Sequence, residues 1–277
     1  MKNILVPTDF SDCAKVAEEM GLEIAKKANA EIHFLHLLAT PTDWLKLSLQ
    51  KEKLYPETKA KIGLARNALN ELNKKAEKAG IQSKEFLVFD EDREEIEKHI
   101  SHHQHDFIVM GSHGAKGFKE LIGSNTQKVV RNSPAPVLVV KNRPGNFEVK
   151  NIVFASTFQE EVHQSFQKII EFAELMKAEI HLLNVNMPFH FKETDEAEAD
   201  MQAFLKKCSR GTCSINIYNA LNEERGIQKF AESIEADVIA MTTHGKTGFM
   251  KMLSPSITES LVNHSDIPVL SVNVNVN

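Results

Sequence analysis

Four short segments of this chain recur in the same order, and a duplicated chain is confined to two copies of whatever one copy can fold into. Asn3-Ile4-Leu5-Val6 returns as Asn151-Ile152-Val153-Phe154, and Ala30-Glu31-Ile32-His33-Phe34-Leu35 returns as Ala178-Glu179-Ile180-His181-Leu182-Leu183, both 148 positions later. Val109-Met110-Gly111-Ser112-His113-Gly114 returns as Ala240-Met241-Thr242-Thr243-His244-Gly245, and Pro136-Val137-Leu138 as Pro268-Val269-Leu270. Between the copies runs Asn142-Arg143-Pro144-Gly145-Asn146, whose Pro-Gly pair reads as a linker. With 277 residues there is room for two domains of ordinary size, placed at 1–144 and 149–277.

Inside each copy, short apolar strand patterns alternate with helical ones. In the first copy strands are expected near 3–8, 31–38, 84–89, 106–111 and 136–141, and helices near 12–28, 57–79, 91–103 and 117–132. The second copy repeats the strands near 150–156, 179–186, 214–219, 237–242 and 267–273. Such alternation predicts an α/β fold, a parallel sheet with helices on both faces. In open parallel sheets a ligand binds beyond the carboxyl ends of the strands, which directs attention to the residues after strands one, two and four.

Composition narrows the partners. A net charge of −5 gives no reason to expect nucleic acid or an anionic membrane. The three cysteines, Cys13, Cys208 and Cys213, form no CxxC; Cys208 and Cys213 could pair, but free thiols in a reducing compartment are the expectation. The chain enters its first strand at Asn3 with no signal-peptide pattern, and no eighteen apolar residues run together, so a cytoplasmic location is expected.

After strand one stands Pro7-Thr8-Asp9-Phe10-Ser11-Asp12. Ser11 or Asp12 is better placed to cap the following helix, which leaves Asp9 as a candidate ligand contact. After strand four come Gly111-Ser112-His113-Gly114 and, further on, Gly123-Ser124-Asn125-Thr126 opening a helix. Glycines let backbone amides approach an anion, and a helix start offers unpaired N–H groups. Neither GxxxxGK[ST] nor a GxGxxG after the first strand is present, which argues against a P-loop ATPase and a Rossmann dehydrogenase.

These residues carry a resemblance. Val-Pro-Thr-Asp-Phe-Ser closing strand one, Gly-Ser-His-Gly after strand four with a later Gly-Ser-Asn, and Ser133-Pro134-Ala135-Pro136-Val137-Leu138 resemble the universal stress protein family, over essentially the whole chain and twice. The resemblance implies two tandem Rossmann-like domains of the adenine nucleotide alpha hydrolase-like type. Each would hold a five-stranded parallel sheet of order 3-2-1-4-5. It implies an intramolecular pseudo-dimer through the last strands, with a homodimer of chains compatible, and protein partners unspecified. ATP-binding members follow G-x2-G-x9-G-[ST]. Carried over by position, Pro7, Thr8, Asp9 and the backbone at Leu37 would meet the adenosine, with Met110, Gly111, His113, Gly114, Gly123, Ser124 and Asn125 around ribose and phosphates. The ligand implied is an adenine nucleotide, ATP or AMP, with Mg²⁺ as an admissible companion and no structural metal.

The first copy departs from that pattern in one respect: eight residues, not nine, separate Gly114 from Gly123. The second departs further, with Thr157 for Asp9, Thr242 for Gly111 and Ser254-Pro255-Ser256 for Gly-Ser, where proline has no amide to offer. Nucleotide is therefore expected in the first copy alone. The function expected is stress-response or regulatory binding and not catalysis, since no base and charge-stabilising constellation is readable. The alternatives are a ligand-free scaffold and a slow ATP hydrolase.

Elsewhere, Ser101-His102-His103-Gln104-His105 reads as a solvated cluster at a helix end, since only His99 and His103 have helical metal spacing. His33, His36 and His181 read as structural. The segment Thr40–Tyr55, with Trp44, and its counterpart Met187–Asp200, with Phe189 and Phe191, are lids, partner patches or core; Glu193–Asp200 reads as a solvated helix face.

Overall fold

In the computed structural model, residues 1–90, 95–112, 123–142, 147–156, 158, 162–206, 213–243 and 257–274 are described. The first half supplies β1 (Asn3–Pro7), α1 (Asp12–Ala28), β2 (Glu31–Ala39), a 3-10 turn (Trp44–Lys46) and the short α2 (Leu49–Glu52). It continues with α3 (Pro56–Lys78), β3 (Ser83–Asp90), α4 (Glu95–His102), β4 (Phe107–Gly111), α5 (Ser124–Asn132) and β5 (Val137–Val140). The second half supplies β6 (Asn151–Ala155), α6 (His163–Met176), β7 (Glu179–Asn186), α7 (Thr194–Lys206) and β8 (Cys213–Asn219), then α8 (Glu223–Ser233), β9 (Val238–Thr243), α9 (Ile257–His264) and β10 (Val269–Asn273).

The strands form one ten-stranded sheet of order β3-β2-β1-β4-β5-β10-β9-β6-β7-β8. Each half thus has the expected order 3-2-1-4-5, all parallel within itself. The halves meet where β5 pairs antiparallel with β10, Leu138 opposite Leu270. Strand ends therefore point to opposite edges of the sheet in the two halves. The linker expected at 142–146 falls mostly on 143–146, outside the described residues.

Alternation along the strands sorts the core into two layers. One layer joins Ile4 and Val6 of β1 and Ile152 and Phe154 of β6 with Met20, Leu69, Phe166 and Phe204 from α1, α3, α6 and α7. The other joins Leu5, Met110, Val153 and Met241 with Ile100, Val129, Ile227 and Leu261 from α4, α5, α8 and α9. Each layer is continuous across the halves, and Phe107 stacks on Phe172 across the seam at 5.4 Å.

Helix α1 begins where its sequence says it should. The Ser11 hydroxyl accepts from the Ala14 amide at 3.2 Å, Asp12 stands in the first turn, and Asn29 closes the helix in the left-handed region at φ 51°. Fixing that start fixes the turn before it, which carries Asp9.

Candidate functional site

Strands β2, β1 and β4 are neighbours, so their carboxyl ends make one rim. Thr8 follows β1 and is pinned from four sides. Its amide donates to Leu35 O at 2.8 Å, its hydroxyl donates to Glu18 Oε1 at 2.5 Å and accepts from the Phe10 amide at 2.9 Å, and its carbonyl accepts from His36 Nδ1 at 2.7 Å. That last bond places the His36 proton on Nδ1. Phe10 takes φ 62°, a conformation rare for an aromatic residue, and its ring packs on His36 at 4.6 Å. The strained turn is held by the bonds to Thr8.

Asp9, half-buried, stands inside this turn and its Oδ1 accepts from the Ser11 amide at 3.1 Å. Leu37 lies on β2 beside it, partly exposed, and Pro7 is likewise partly exposed at the end of β1. Met110 is buried in the core layer toward α5, so only its backbone reaches the rim.

Gly111 ends β4. A Cβ there would lie 3.0 Å from the Cys13 carbonyl carbon and 3.2 Å from the Ala14 nitrogen, so glycine lets the first turn of α1 cross close to the strand. Its carbonyl accepts from Thr126 Oγ1 at 2.9 Å, which ties α5 to β4. Gly123 is the N-cap of α5, and its amide already donates to Ser112 O at 2.9 Å. Gly123 has no side chain with which to cap α5, so at the N-cap position the first-turn amides of Ser124, Asn125 and Thr126 meet no side-chain acceptor. Those amides and the positive end of the helix dipole suit an anion. Asn125 is exposed there. His113 and Gly114 lie outside the described residues, as does the eight-residue spacer.

The structure thus brings Thr8, Asp9, Leu37, Gly111 and the start of α5 to one rim. Two side chains beneath it, Glu18 and His36, escaped the sequence reading as functional. Burial pushes the Glu18 carboxyl up, partly opposed by the Thr8 hydroxyl. The signal was present in α1: Glu18 stands four residues after Ala14 and three before Gly21, on the stripe that is buried. Among the described residues no three His, Cys, Asp or Glu converge as metal ligands. Cys13, beside Gly111, donates its thiol to Lys141 O at 3.3 Å, Cys213 opens β8, and Cys208 lies outside the described residues.

The second half keeps the turn but not its polar floor. Ser156 Oγ accepts from the Phe158 amide at 3.2 Å and Phe158 takes φ 58°, matching Thr8 and Phe10. Where Glu18 stands in the first half, 148 positions later stands Phe166, fully buried and packed on Phe154 at 4.9 Å and Phe204 at 5.0 Å. The residues at the Asp9 and Gly-Ser positions, Thr157 and Ser254-Pro255-Ser256, lie outside the described residues.

One reading is corrected. The histidines around 99–105 are not a solvated cluster: His99 and His105 are buried, and only His102 is fully on the surface. His105 Nε2 meets His33 Nδ1 at 2.8 Å, and His99 and His103 pack on Phe86 at 4.6 and 4.7 Å. The reason is periodicity. Ile96, His99 and Ile100 fall on one face of α4, and His103 extends it in the turn that follows, its amide donating to His99 O at 3.1 Å, so the face on the sheet takes imidazoles with it. Burial holds His99 down at about 4 and His105 at about 3, with neighbouring imidazoles adding to it.

The model of the universal stress protein family matches residues 1–141 and 220–273. Universal stress protein MJ0577 of Methanocaldococcus jannaschii is 34% identical over 155 residues, covering 51% of this chain and 96% of its own. Universal stress protein Slr1230 of Synechocystis sp. is 25% identical over 311 residues, covering 98% of this chain and 99% of its own. The crystal structure of a universal stress protein from Archaeoglobus fulgidus superposes with a TM-score of 0.76 at 25% identity, covering 99% of this chain and 98% of that one.

Proposed function

This chain belongs to the universal stress protein family, and from that premise we propose that its first half, residues 1–144, binds an adenine nucleotide, ATP or AMP, as a cytoplasmic regulatory ligand. One observation carries the reading. The ends of β1, β2 and β4 gather Thr8, Asp9, Leu37 and Gly111 at the same rim as the side-chain-uncapped start of α5. A carboxylate suits the hydroxyls of a ribose, and first-turn amides suit phosphate oxygens. His113, Gly114, Ser124 and Asn125 complete the set by position in the family pattern. Mg²⁺, where it accompanies ATP, would be held chiefly by the phosphates.

The role is binding without turnover. The Glu18 carboxyl is buried and bonded to Thr8, so it serves the turn, and Asp9 gives the turn only Oδ1, which accepts from the Ser11 amide. A second reading, a scaffold without a small ligand, draws on the Gly123 amide, which is already bonded to Ser112. The second half, residues 149–277, is in either case a degenerate copy whose task is to pack on the first.

Isothermal titration with ATP and AMP, with and without Mg²⁺, tests the proposal. Binding is expected at one site per chain, and Asp9→Ala should weaken it at least about tenfold, roughly 1.4 kcal/mol. No heat and no thermal shift at millimolar nucleotide would leave the scaffold standing and end the nucleotide reading.

A further inference from the structure

The segment after the second strand of each half folds back and turns apolar side chains outward. In the first half Trp44 anchors it, buried against Tyr55 at 6.4 Å and Phe89 at 6.5 Å. With the indole inside, Leu45, Leu49 and Leu54 stand 80%, 77% and 73% exposed. In the second half Phe189 and Phe191 stand 93% and 68% exposed. Leu221, 72% exposed, joins them on the same rim, because the Ala220 amide bonds Asn186 O where β8 and β7 end. Such clusters of large exposed apolar side chains mark interaction surfaces.

The two patches carry opposite charge. Residues 40–61 hold five lysines against Asp43, Glu52 and Glu57, a net +2, whereas residues 187–206 hold five acidic side chains and two lysines, a net −3. Among the described residues Lys51, Lys53 and Lys61 face solvent without an ion pair, as do Glu193, Asp195 and Glu198. The patches cannot satisfy each other within one chain. Strands β2 and β7 are seven steps apart in the sheet, about 34 Å at the usual strand spacing. The antiparallel β5–β10 junction also puts their carboxyl ends on opposite edges.

We propose that the leucine patch of one chain docks on the phenylalanine patch of a second copy, a head-to-tail contact steered by the basic segment against the acidic one. Such a heterologous contact joins two different surfaces. It is therefore made twice in a two-fold pair, or it closes into a larger ring or propagates. Opposite charges speed encounter and set orientation, and the apolar side chains hold the contact.

Sedimentation velocity on the full chain tests this. In 50 mM NaCl the average mass should rise between 5 and 200 µM protein, and 500 mM NaCl should weaken the association roughly tenfold by screening. Leu49→Ser/Leu54→Ser and Phe189→Ser/Phe191→Ser should each remain monomeric alone, with melting temperature unchanged. Mixed, they should form a 1:1 dimer and nothing larger, since each retains the patch the other has lost. A wild-type chain that is monomeric at 200 µM overturns the proposal. So does a serine variant that associates like wild type, which would mean like patches pair with like, or a mixture of the two that stays monomeric.

Discussion

The two halves share their topology, their antiparallel junction and even the left-handed phenylalanine after the first strand, but they differ in what lies beneath that turn. In the first half Thr8 rests on the Glu18 carboxyl, with His36 on the other side. In the second, Ser156 keeps the turn and Phe166 fills the floor together with Phe154, Phe158 and Phe204. A duplicated fold can therefore keep its backbone devices while one copy invests its interior in a polar rim and the other in packing. The backbone turn sets where the rim is, and the residue under it sets whether the rim has polar chemistry to offer.

The strongest way to break this comparison is to empty the aromatic floor. Phe166→Ala should cost about 3–5 kcal/mol of unfolding free energy, measured by urea denaturation, because a large side chain leaves a cavity beside the rings of Phe154 and Phe204. Nucleotide affinity in the surviving folded protein should stay within about twofold, since the change is confined to the second half. A matching collapse of affinity would show that the halves are not separable in this sense.

Much of this architecture was legible in the sequence, and the reason is physical. Strands of a parallel sheet buried on both faces read as short, nearly continuous apolar runs, so β2 and β7 were placed to within a residue, and α1 was placed at 12–28 with Ser11 or Asp12 as its cap. Side chains that defy their class were not legible. Glu18 stands on an apolar stripe, and His99 and His103 share a face with Ile96 and Ile100, yet polar type suggests solvent. Phe189 and Phe191 err the other way, aromatic yet exposed. In each case helical position or loop context outvoted residue type. The Gly114–Gly123 spacer, where the sequence departs from its family pattern, falls outside the described residues.

The next comparison is between the histidines of the first half and their counterparts. Counting back from the fourth strand in each copy, His99 and His105 correspond to Phe230 and Ala236, also buried. In the folded first half these imidazoles stay neutral down to about 4 and about 3, whereas unfolded they titrate near 6.5. Their folded values are lowered, so nothing is lost above pH 6.5. Below it the unfolded chain binds protons that the folded chain refuses. Between pH 7 and pH 5 each should cost up to about 2 kcal/mol. His33 beside Glu31, His102, His103 and Lys84 surround the pair and share its field. The Glu18 carboxyl, raised by burial, acts in the opposite direction, gaining protons in the folded state as pH falls. His99→Phe/His105→Ala, which installs the second half's residues, should flatten the loss of stability between pH 7 and 5. An unchanged slope would place the acid sensitivity elsewhere.

At the seam the halves differ in a complementary manner. Helices α5 and α9 are matched by Thr126 and Thr258, each bonded to the end of a fourth strand. Yet Gln127 is answered by Glu259, and Arg131 by Asn263. Glu259 is buried and takes Arg131 Nε and Nη2 at 2.7–2.9 Å and Gln127 Nε2 at 2.7 Å. Two identical first halves could not make this contact, because it requires one arginine and one glutamate. Arg131 is partly exposed, which moderates its worth. Arg131→Ala should nevertheless cost about 2 kcal/mol by stranding a buried carboxylate, and adding Glu259→Gln should restore most of it. Thermal melting of the three variants checks the rescue; no recovery in the double variant would mean that the arginine acts through packing alone.

The smallest effect is the sharpest test of the comparison, because it exchanges the floor of the first half alone. Glu18→Gln keeps an acceptor for the Thr8 hydroxyl, so stability and nucleotide affinity should each change by less than about 0.5 kcal/mol. Glu18→Leu removes the acceptor but also removes a carboxyl whose burial is unfavourable, so its net effect on melting should be small. The Thr8 hydroxyl is then left without its partner, and the turn that presents Asp9 loses one of the bonds that hold Phe10 at φ 62°. Affinity should fall about three- to tenfold, roughly 0.7–1.4 kcal/mol, with melting nearly unchanged. That separation is what distinguishes a side chain that positions Asp9 from one that merely fills space. Equal affinities for the glutamine and leucine variants would show that the rim keeps its shape without the polar floor, and the contrast drawn between the halves would then concern packing alone.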